Sequence, residues 1–451
     1  MSEVYDQRVR PTTKSAPPLC ALSDETICLH GAYRSDRDSK AIAVPIYQTA
    51  AYEFGTPRET ADVFSCHADG NTYSRIMNPT ADILEQRVAM LDGGVGALAV
   101  ACGQAAITTA ILNITMAGDN FVSSTDLYGG TWQLFRTTLG RLGIEVRFVN
   151  PDDPDNFRRA ADARTRCFFG EVLPNPKLVP FPIEEVARIG ADIGIPLIVD
   201  NTMGPSLCKP ARYGAALTVY SATKYICGHG TALGGIIVDN GNFDWTAHAD
   251  RFNTLAGPDS AHDHIVWTNA IGGLRSSLGH SAFTLKARMT VVRDLGGCIS
   301  PFNAFLLLQG LETLPLRIQR QCDNARILAE RLAEHPAVAH VTYPGLMRGK
   351  PRERVDKYFG RFGGGMLLFE LKGGYAAGER FIDALQLIYH AVNIGDARTL
   401  AVHPASTTHA QVPRADRIAA GVTDGSVRLS VGLENVDDLL SDINQALDAA
   451  G

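Results

Sequence analysis

The lysine of this sequence that is best placed to act as a nucleophile follows an apolar run and precedes a glycine-rich turn. Lys224 comes after residues 217–220, which indicate a buried strand, and before the turn at 228–230. An ammonium group there cannot easily reach bulk water, and desolvation lowers the pKa of an amine and makes it a usable nucleophile. The alternative is a lysine that extends to the surface, since buried lysines are rare. Ser221 and Thr223 favour a site, because two hydroxyl groups beside a lysine suit a phosphate.

A second candidate is an aspartate at the end of another apolar run. Asp200 follows residues 196–199, and a carboxylate at the end of a buried strand is costly unless it meets a cation. A protonated pyridine nitrogen is such a cation, and pyridoxal phosphate (PLP) needs a persistent anion there to act as an electron sink. The alternative is a helix N-cap. The spacing between Asp200 and Lys224 suits consecutive strands joined by a helix, so the pair is more specific than either residue.

Two glycine-containing segments could hold other parts of the same cofactor. Gly103 and Gln104 open a predicted helix over 104–112 directly after a strand, and free N–H groups at a helix start bind phosphate. Tyr128 precedes two glycines and could lie flat on a pyridine ring. The alternatives are an ordinary turn at 103–104 and a tyrosine packed in the core.

Two arginines extend the site at either end of the chain. Arg428 lies within the apolar strand predicted at 427–431, where it needs a carboxylate, and a bidentate clamp on a substrate α-carboxylate fits. An internal salt bridge is the alternative. Tyr73 and Arg75 lie in a weakly structured arm and could reach a phosphate bound by a neighbouring subunit. The alternative for these two is a surface loop.

The elements that must position these residues form a predicted α/β sheet between about 84 and 240. The predicted strands are 97–101, 120–123, 145–149, 167–169, 197–199, 217–220 and 235–238, with amphipathic stretches such as 131–142 and 183–193 between them. Continuous Val/Ile/Leu runs alternating with helices predict a mostly parallel sheet covered on both faces. Ligands bind at the carboxyl ends of such strands. The residues that follow the strands therefore predict a site, namely 102–104, 125–130, Glu171, 200–202 and 221–224.

The pattern changes near residue 301 to helices mixed with short strands, which predicts a smaller α+β domain. Predicted helices are 302–311, 316–335 and 436–449, and predicted strands are 338–343, 365–371, 391–393 and 427–431. We expect three parts: an N-terminal leader and intersubunit arm over 1–75, a large PLP-binding domain over 76–300, and a small domain over 301–451. Residues 1–19 lack the apolar core of a secretory signal and indicate a loosely packed leader.

Composition excludes several classes of protein. The chain is 45% apolar and 20% charged with a net charge of −6, and its Lys and Arg residues form no run, so we expect neither a nucleic-acid nor a membrane partner. No segment has the roughly 18 consecutive apolar residues of a membrane span. Nine cysteines without a C-x-x-C pair or metal-like spacing predict a reducing, cytoplasmic location and no metal site.

Several of these segments resemble the PLP-dependent Cys/Met-metabolism family, whose members have the aspartate-aminotransferase-like fold, fold type I. The resemblance extends from about residue 24 to the end and is carried by 43–49, 73–80, 221–224, 228–231, 403–409 and 428–434. Within the family the sequence is most similar to the O-acetylhomoserine sulfhydrylases, and 243–267 looks like the extra segment that these carry.

The resemblance implies a role for each candidate residue. Lys224 would hold PLP as a Schiff base and move protons, Asp200 would pair with the ring nitrogen, and Tyr128 would stack on the ring. The other residues implied at the cofactor are Gly103, Gln104, Asn175, Ser221, Thr223 and, from a partner subunit, Tyr73 and Arg75. The residues implied at the amino-acid substrate are Arg428, Asn393, Thr399 and Asn175. The resemblance also implies a homotetramer built from dimers that share active sites.

The activity implied is γ-substitution on O-acetyl-L-homoserine by sulfide or methanethiol, giving homocysteine or methionine and acetate. Three alternatives stay open: another sulfur or carbon nucleophile, a γ-elimination lyase, and a PLP-fold protein without catalysis. Methionine γ-lyases typically have a cysteine where this chain has Gly130, which weakens the lyase alternative. Cystathionine enzymes usually have a glutamate where this chain has Arg398, which weakens an assignment to that group. The chain departs from sulfhydrylases at four positions that could reshape the pocket or be neutral: Cys102, Met203, Tyr220 and Cys227.

Overall fold

The larger of the two main sheets has seven strands, and all seven predicted strands are present in it. The structure is a computed structural model that describes residues 22–35, 39–68, 70–270, 281–411, 413–419 and 421–451. The strands are β1 Gly96–Val100, β2 Asn120–Ser124, β3 Glu145–Val149, β4 Thr165–Glu171, β5 Leu197–Asp200, β6 Leu217–Ser221 and β7 Gly235–Asp239. Their order is β1-β7-β6-β5-β4-β2-β3, and β7 alone runs antiparallel to its neighbours. The mostly parallel sheet is therefore confirmed.

Both faces of this sheet are buried, which explains its continuous apolar runs. Along β5, Leu197 and Val199 belong to one buried cluster and Ile198 to the cluster on the opposite face. The helices of this part are α1 Asp24–His30, α2 Pro57–Phe64, α3 Pro79–Asp92, α4 Gly103–Leu112, α5 Gly129–Gln133, α6 Asp155–Ala160 and α7 Ile183–Ile193. The helix predicted over 131–142 is α5 followed by a π-helical stretch, Leu134–Leu139.

Short elements connect the large sheet to the second one. They are α8 Asn253–Ala256, β8 Pro258–Asp259, β9 Ile265–Val266, α9 Trp267–Ala270, α10 Ala282–Ala287 and α11 Arg293–Leu295. A second π-helical stretch, Arg288–Val292, lies between α10 and α11. Strands β8 and β9 pair antiparallel within the segment that resembles the sulfhydrylase insertion.

The second sheet has five strands in the order β10-β11-β14-β13-β12. The strands are β10 Val338–Thr342, β11 Met366–Leu371, β12 Tyr389–His390, β13 Leu400–Val402 and β14 Ser426–Ser430. The helices are α12 Pro301–Glu312, α13 Leu314–Glu334, α14 Gly349–Phe359, α15 Gly374–Ala384, α16 Arg414–Ala419 and α17 Val436–Ala450. Strand β13 and helices α14, α15 and α16 were not predicted.

The strand predicted at 391–393 is wrong, because the ladder stops at His390. The carbonyl groups of Val392 and Asn393 instead accept hydrogen bonds from the Arg428 guanidinium, at 2.9 and 3.4 Å. The three-part division at 75 and 300 stays a prediction, although the two main sheets lie on either side of residue 300. In the expected arm, α2 buries none of its side chains, and most of the predicted leader lies outside the described residues.

Across the described ranges, no helix is both long and apolar enough to cross a membrane. The same ranges contain no group of three or more His, Cys, Asp or Glu residues placed to bind a metal.

A buried ion pair joins α3 to the large sheet and to the second π-helical stretch. The Glu85 carboxylate accepts the Ala99 backbone N–H of β1 at 2.8 Å and also pairs with Arg288. The side chains of Glu85 and Arg288 are 4% and 6% exposed, so water cannot replace a lost partner. Arg288 also donates to the Ile76 carbonyl at 2.7 Å, which ties the end of the arm to the same pair.

We expect Glu85→Ala to lower the free energy of unfolding by about 3–5 kcal/mol, because it leaves the Arg288 charge buried and unpaired. The measurement is denaturant unfolding of the purified protein. The control is Glu330→Ala, which removes the exposed i,i+4 pair with Arg326 and should cost only about 0.2–0.5 kcal/mol. Equal losses in the two variants would contradict the importance of the buried pair.

Candidate active site

Lys224 lies in the turn that follows β6 and is half-buried. Its Nζ donates to Oδ1 of Asn393 at 2.8 Å. Burial lowers the pKa of Lys224 below that of an ordinary lysine, and the positive charge of Arg428 lowers it further. The amine is therefore held inside the fold in a setting that favours its neutral, nucleophilic form.

Asp200 ends β5, which pairs with β6, the strand that precedes Lys224. The Thr202 backbone N–H donates to its Oδ1 at 2.8 Å. Burial raises the pKa of Asp200, and the hydrogen bonds from Thr202 oppose that shift. A cation bound against this carboxylate would offset its desolvation. The site thus offers a fixed, half-buried acceptor for a protonated nitrogen.

Arg428 lies in the middle of β14 and is 6% exposed. One terminal nitrogen, Nη2, donates to two backbone carbonyls, and the other, Nη1, donates to Oδ1 of Asn175 at 3.4 Å. The Nε atom of Arg428 has no partner. Burial lowers the pKa of Arg428 to about 10. No carboxylate of the described residues forms a salt bridge with it, so the internal pair considered as the alternative is not present there. A buried guanidinium with an unused donor fits an external carboxylate.

The start of α4 packs directly against the residue that ends β6. A Cβ on Gly103 would lie 2.5 Å from Cβ of Ser221, so only glycine permits this approach. No side chain caps the N-terminus of α4, so its first N–H groups have no capping partner. This arrangement is a ready-made anion site at the start of a ten-residue helix.

Tyr128 and Asn175 are brought together by a residue to which the sequence analysis gave no role. Glu171 ends β4, and its Oε1 accepts the Tyr128 backbone N–H at 2.8 Å. The Asn175 backbone N–H also acts on this carboxyl group and, with that of Tyr128, opposes the rise in the pKa of Glu171 that burial causes. The Tyr128 ring is 52% exposed, as a ring that stacks on a ligand must be. The only sequence signal for Glu171 was its place at the end of a strand.

Four of the expected site residues make other contacts. Thr223 exchanges hydrogen bonds with the backbone of Gly234, at 3.2 and 3.0 Å, and Thr399 is fully buried with its hydroxyl donating to Glu434 at 2.7 Å. In the arm, the Arg75 guanidinium lies 5.5 Å from the Tyr73 ring centroid. It also donates to the Arg293 carbonyl.

Of the four departures from the sulfhydrylase pattern, three are buried in the core. Met203, Tyr220 and Cys227 are at most 5% exposed. Tyr220 donates to Asp92 at 2.8 Å and accepts from Asn201 at 2.9 Å, so its hydroxyl is satisfied internally. Cys102 differs, because it is partly exposed at the N-cap of α4.

These groups fit one ligand with several distinct parts. They supply an anion site at α4, a half-buried carboxylate, an exposed aromatic face, a partly desolvated amine and a buried guanidinium with a free Nε. The donor set matches the phosphate, ring nitrogen, ring face and aldehyde carbon of PLP, with the guanidinium left for the carboxylate of an amino acid. The residues present therefore fit that cofactor.

Comparison with known proteins agrees with this fit. The model of the family described as Cys/Met metabolism PLP-dependent enzyme matches residues 25–448. The chain is 47% identical to the O-acetyl-L-homoserine sulfhydrylase of Leptospira meyeri over 97% of this chain and 99% of the relative. It is 45% identical to O-acetyl-L-homoserine sulfhydrylase 1 of Thermus thermophilus over 94% and 99%. A Campylobacter jejuni structure, described as an O-acetylhomoserine (thiol)-lyase containing N'-pyridoxyl-lysine-5'-monophosphate, superposes with a TM-score of 0.88 at 39% identity over 95% of this chain and 100% of that one.

The fold and the site define a PLP-dependent enzyme of fold type I, as expected. The chain belongs to the Cys/Met-metabolism family of PLP-dependent enzymes, which confirms the predicted family and cofactor. The assignment of individual residues to cofactor or substrate stays a prediction.

We expect Gly103→Ala to weaken PLP binding by about tenfold or more, a loss of about 1.4 kcal/mol, because the new Cβ must push α4 away from Ser221. The measurement is titration of the apoenzyme with PLP. Gly140→Ala is the control, since a Cβ there meets no atom within 4 Å. Unchanged PLP affinity in Gly103→Ala would place the phosphate elsewhere.

Proposed function

We propose that this chain catalyses γ-substitution on O-acetyl-L-homoserine, with sulfide or methanethiol as nucleophile and homocysteine or methionine plus acetate as products. The two relatives at 47% and 45% identity are named for this sulfhydrylase activity, which bears out the activity expected from the sequence. The observation that carries the proposal in the structure is Arg428, a buried cation with a free Nε beside the amine of Lys224.

Arg428 binds the α-carboxylate of the substrate in this proposal. Its guanidinium is fixed by the carbonyls of Val392 and Asn393, so the carboxylate meets donors that are already oriented. Oδ1 of Asn393 also accepts a hydrogen bond from Nζ of Lys224. A carboxylate bound at Arg428 therefore lies in the same cleft as the amine. Asn175 is the third wall of this pocket, through its contact with Arg428.

Lys224 moves the protons of the reaction. When bound, PLP supplies an electron sink for negative charge that develops on the substrate beside its amino group. The lowered pKa of Lys224 leaves its Nζ free to accept the α-proton and to return a proton later in the sequence. Asp200 offers its half-buried carboxylate to the ring nitrogen, and Tyr128 covers the ring face.

The phosphate contacts are assigned to the N-terminus of α4 and to the residue it packs against. Gly103, Gln104 and Ser221 provide these contacts. Thr223 holds the turn that carries Lys224 through its hydrogen bonds with Gly234, and it would contact the phosphate by turning its hydroxyl proton away from the Gly234 carbonyl. Thr399 acts on the substrate pocket through Glu434.

We also propose that the enzyme is a cytoplasmic homotetramer whose active sites are shared across a dimer. The support is that Tyr73 is 44% exposed and that the contacts of the Arg75 side chain are the Tyr73 ring and the Arg293 carbonyl. In a dimer they would reach the phosphate of the partner's site.

Gly130 separates this proposal from the γ-elimination lyase. A Cβ at position 130 would lie 2.5 Å from a ring carbon of Tyr128 and 2.9 Å from Nε2 of Gln104. The pocket is therefore built around the absence of a side chain at the position where methionine γ-lyases typically have a cysteine. This favours substitution over elimination.

The test is to incubate the PLP-loaded enzyme with O-acetyl-L-homoserine, with and without sulfide, and to identify the products by mass. We expect homocysteine and acetate only when sulfide is present. An α-keto acid formed regardless of sulfide would instead establish the lyase, and turnover only with some other acceptor would establish a specialised substitution. Lys224→Ala is the control, and it should lose both the visible band of lysine-bound PLP and all product.

A further inference from the structure

Glu171 has no direct contact in the proposed reaction, yet it lies between residues that do. It ends β4, and in the parallel pairing of β4 with β5 it stands opposite Asp200. Paired residues of neighbouring strands project to the same face of a sheet, so the two carboxyl groups share one side of the sheet edge. Glu171 is 6% exposed, which shields this pair from water.

The carboxyl group of Glu171 holds two loops at once. It accepts the Tyr128 backbone N–H of the loop after β2, at 2.8 Å. The Asn175 backbone N–H, in the loop after its own strand, also acts on this carboxyl group, and both N–H groups oppose the rise in the pKa of Glu171. One loop carries the ring that covers the cofactor, and the other carries the amide that contacts Arg428 at 3.4 Å. Removal of this acceptor leaves two N–H groups without a partner at the most critical edge of the site.

The surroundings of Glu171 favour its protonated form. Burial raises its pKa well above that of an ordinary glutamate, and the negative charges of Asp200 and then Asp126 add to the shift. The nearby cations are engaged elsewhere, since Lys177 binds both oxygens of Asp126 at 2.9 Å and Arg354 pairs with Glu185 at 3.5 Å. No cation of the described residues forms a salt bridge with Glu171.

Two neighbouring carboxyl groups in one buried site cannot both ionise easily, and one keeps a proton. Both carboxyl groups accept a backbone N–H, Glu171 from Tyr128 and Asp200 from Thr202, so these bonds do not decide which group carries the charge. In the proposed site Asp200 meets the protonated ring nitrogen, whereas no cation of the described residues pairs with Glu171, and a neighbouring cation favours the charged form of a carboxyl group. The proton of the pair therefore belongs on Glu171, and the negative charge on Asp200.

We propose that Glu171 is a positioning residue that, in its protonated form, holds the Tyr128 and Asn175 loops against the cofactor and keeps the negative charge of the pair on Asp200. This inference rests on the proposed PLP site but not on the identity of the nucleophile.

The experiment compares Glu171→Gln with Glu171→Leu by PLP titration of the apoenzyme and by visible circular dichroism of the reconstituted enzyme across pH. Gln copies a protonated carboxyl, since it is neutral and keeps an acceptor oxygen for the two N–H groups. We expect Glu171→Gln to retain PLP affinity within about threefold and the pH profile of the visible band, whereas Glu171→Leu loses about tenfold or more in affinity and much of the dichroism. Glu184→Gln, on an exposed side chain of α7, is the control.

Glu171→Gln as impaired as Glu171→Leu, or a displaced pH profile in Glu171→Gln, would show that an ionised glutamate is needed and would overturn the proposal. Wild-type behaviour of Glu171→Leu would remove the positioning role. If Glu171→Leu does not fold, Glu171→Asp replaces it, because the shorter side chain withdraws the acceptor, and the same loss is expected. These readouts concern cofactor binding, so a failure of the sulfhydrylase assignment would appear separately, in the product analysis of the wild-type enzyme.

Discussion

The side chains of Lys224 and Arg428 share one cleft, and the rest of the site is arranged around them. Both contact Asn393, one through the side-chain oxygen at 2.8 Å and the other through the backbone carbonyl at 3.4 Å. Burial of two positive groups without a carboxylate between them is unfavourable in isolation. The cost is offset when the amine is bonded to the cofactor and the guanidinium binds a substrate carboxylate. The unfavourable burial in the free protein therefore favours binding of both.

The large sheet supplies the geometry that makes this cleft possible. Strands β4, β5 and β6 end side by side, which places Glu171, Asp200 and Ser221 along a single edge. The start of α4 closes on Ser221 because position 103 has no side chain. The second sheet contributes the opposite wall, through Arg428 on β14. The cleft thus has an anion site at the start of α4, a site for a cation at Asp200 and a second anion site at Arg428. These three suit a phosphate, a pyridinium and an amino-acid carboxylate, respectively.

Much of the large sheet could be predicted, because strands buried on both faces leave continuous apolar runs such as that of β6, and the candidate residues follow those runs. The second sheet was harder, since β12 and β13 are only two and three residues long and the carbonyls of Val392 and Asn393 accept from Arg428. The role of Glu171 depends on the β4–β5 register and on two loop conformations, neither of which has a sequence signature. Gly234 and Glu434, the partners of Thr223 and Thr399, are likewise brought close only by the folded conformation of the chain.

The central claim is that Arg428 and Lys224 act on each other electrostatically within the cleft, and the reactivity of Lys224 in the apoenzyme tests it most directly. The measurement is the pH dependence of the rate at which the apoenzyme forms the lysine-bound form of PLP, in the wild-type protein and in Arg428→Gln. We predict that the wild-type midpoint lies below the ordinary lysine value of 10.5 and that it rises in Arg428→Gln, because removal of a neighbouring positive charge makes the ammonium easier to keep. The same midpoint in both proteins, or a lower one in Arg428→Gln, would contradict the account.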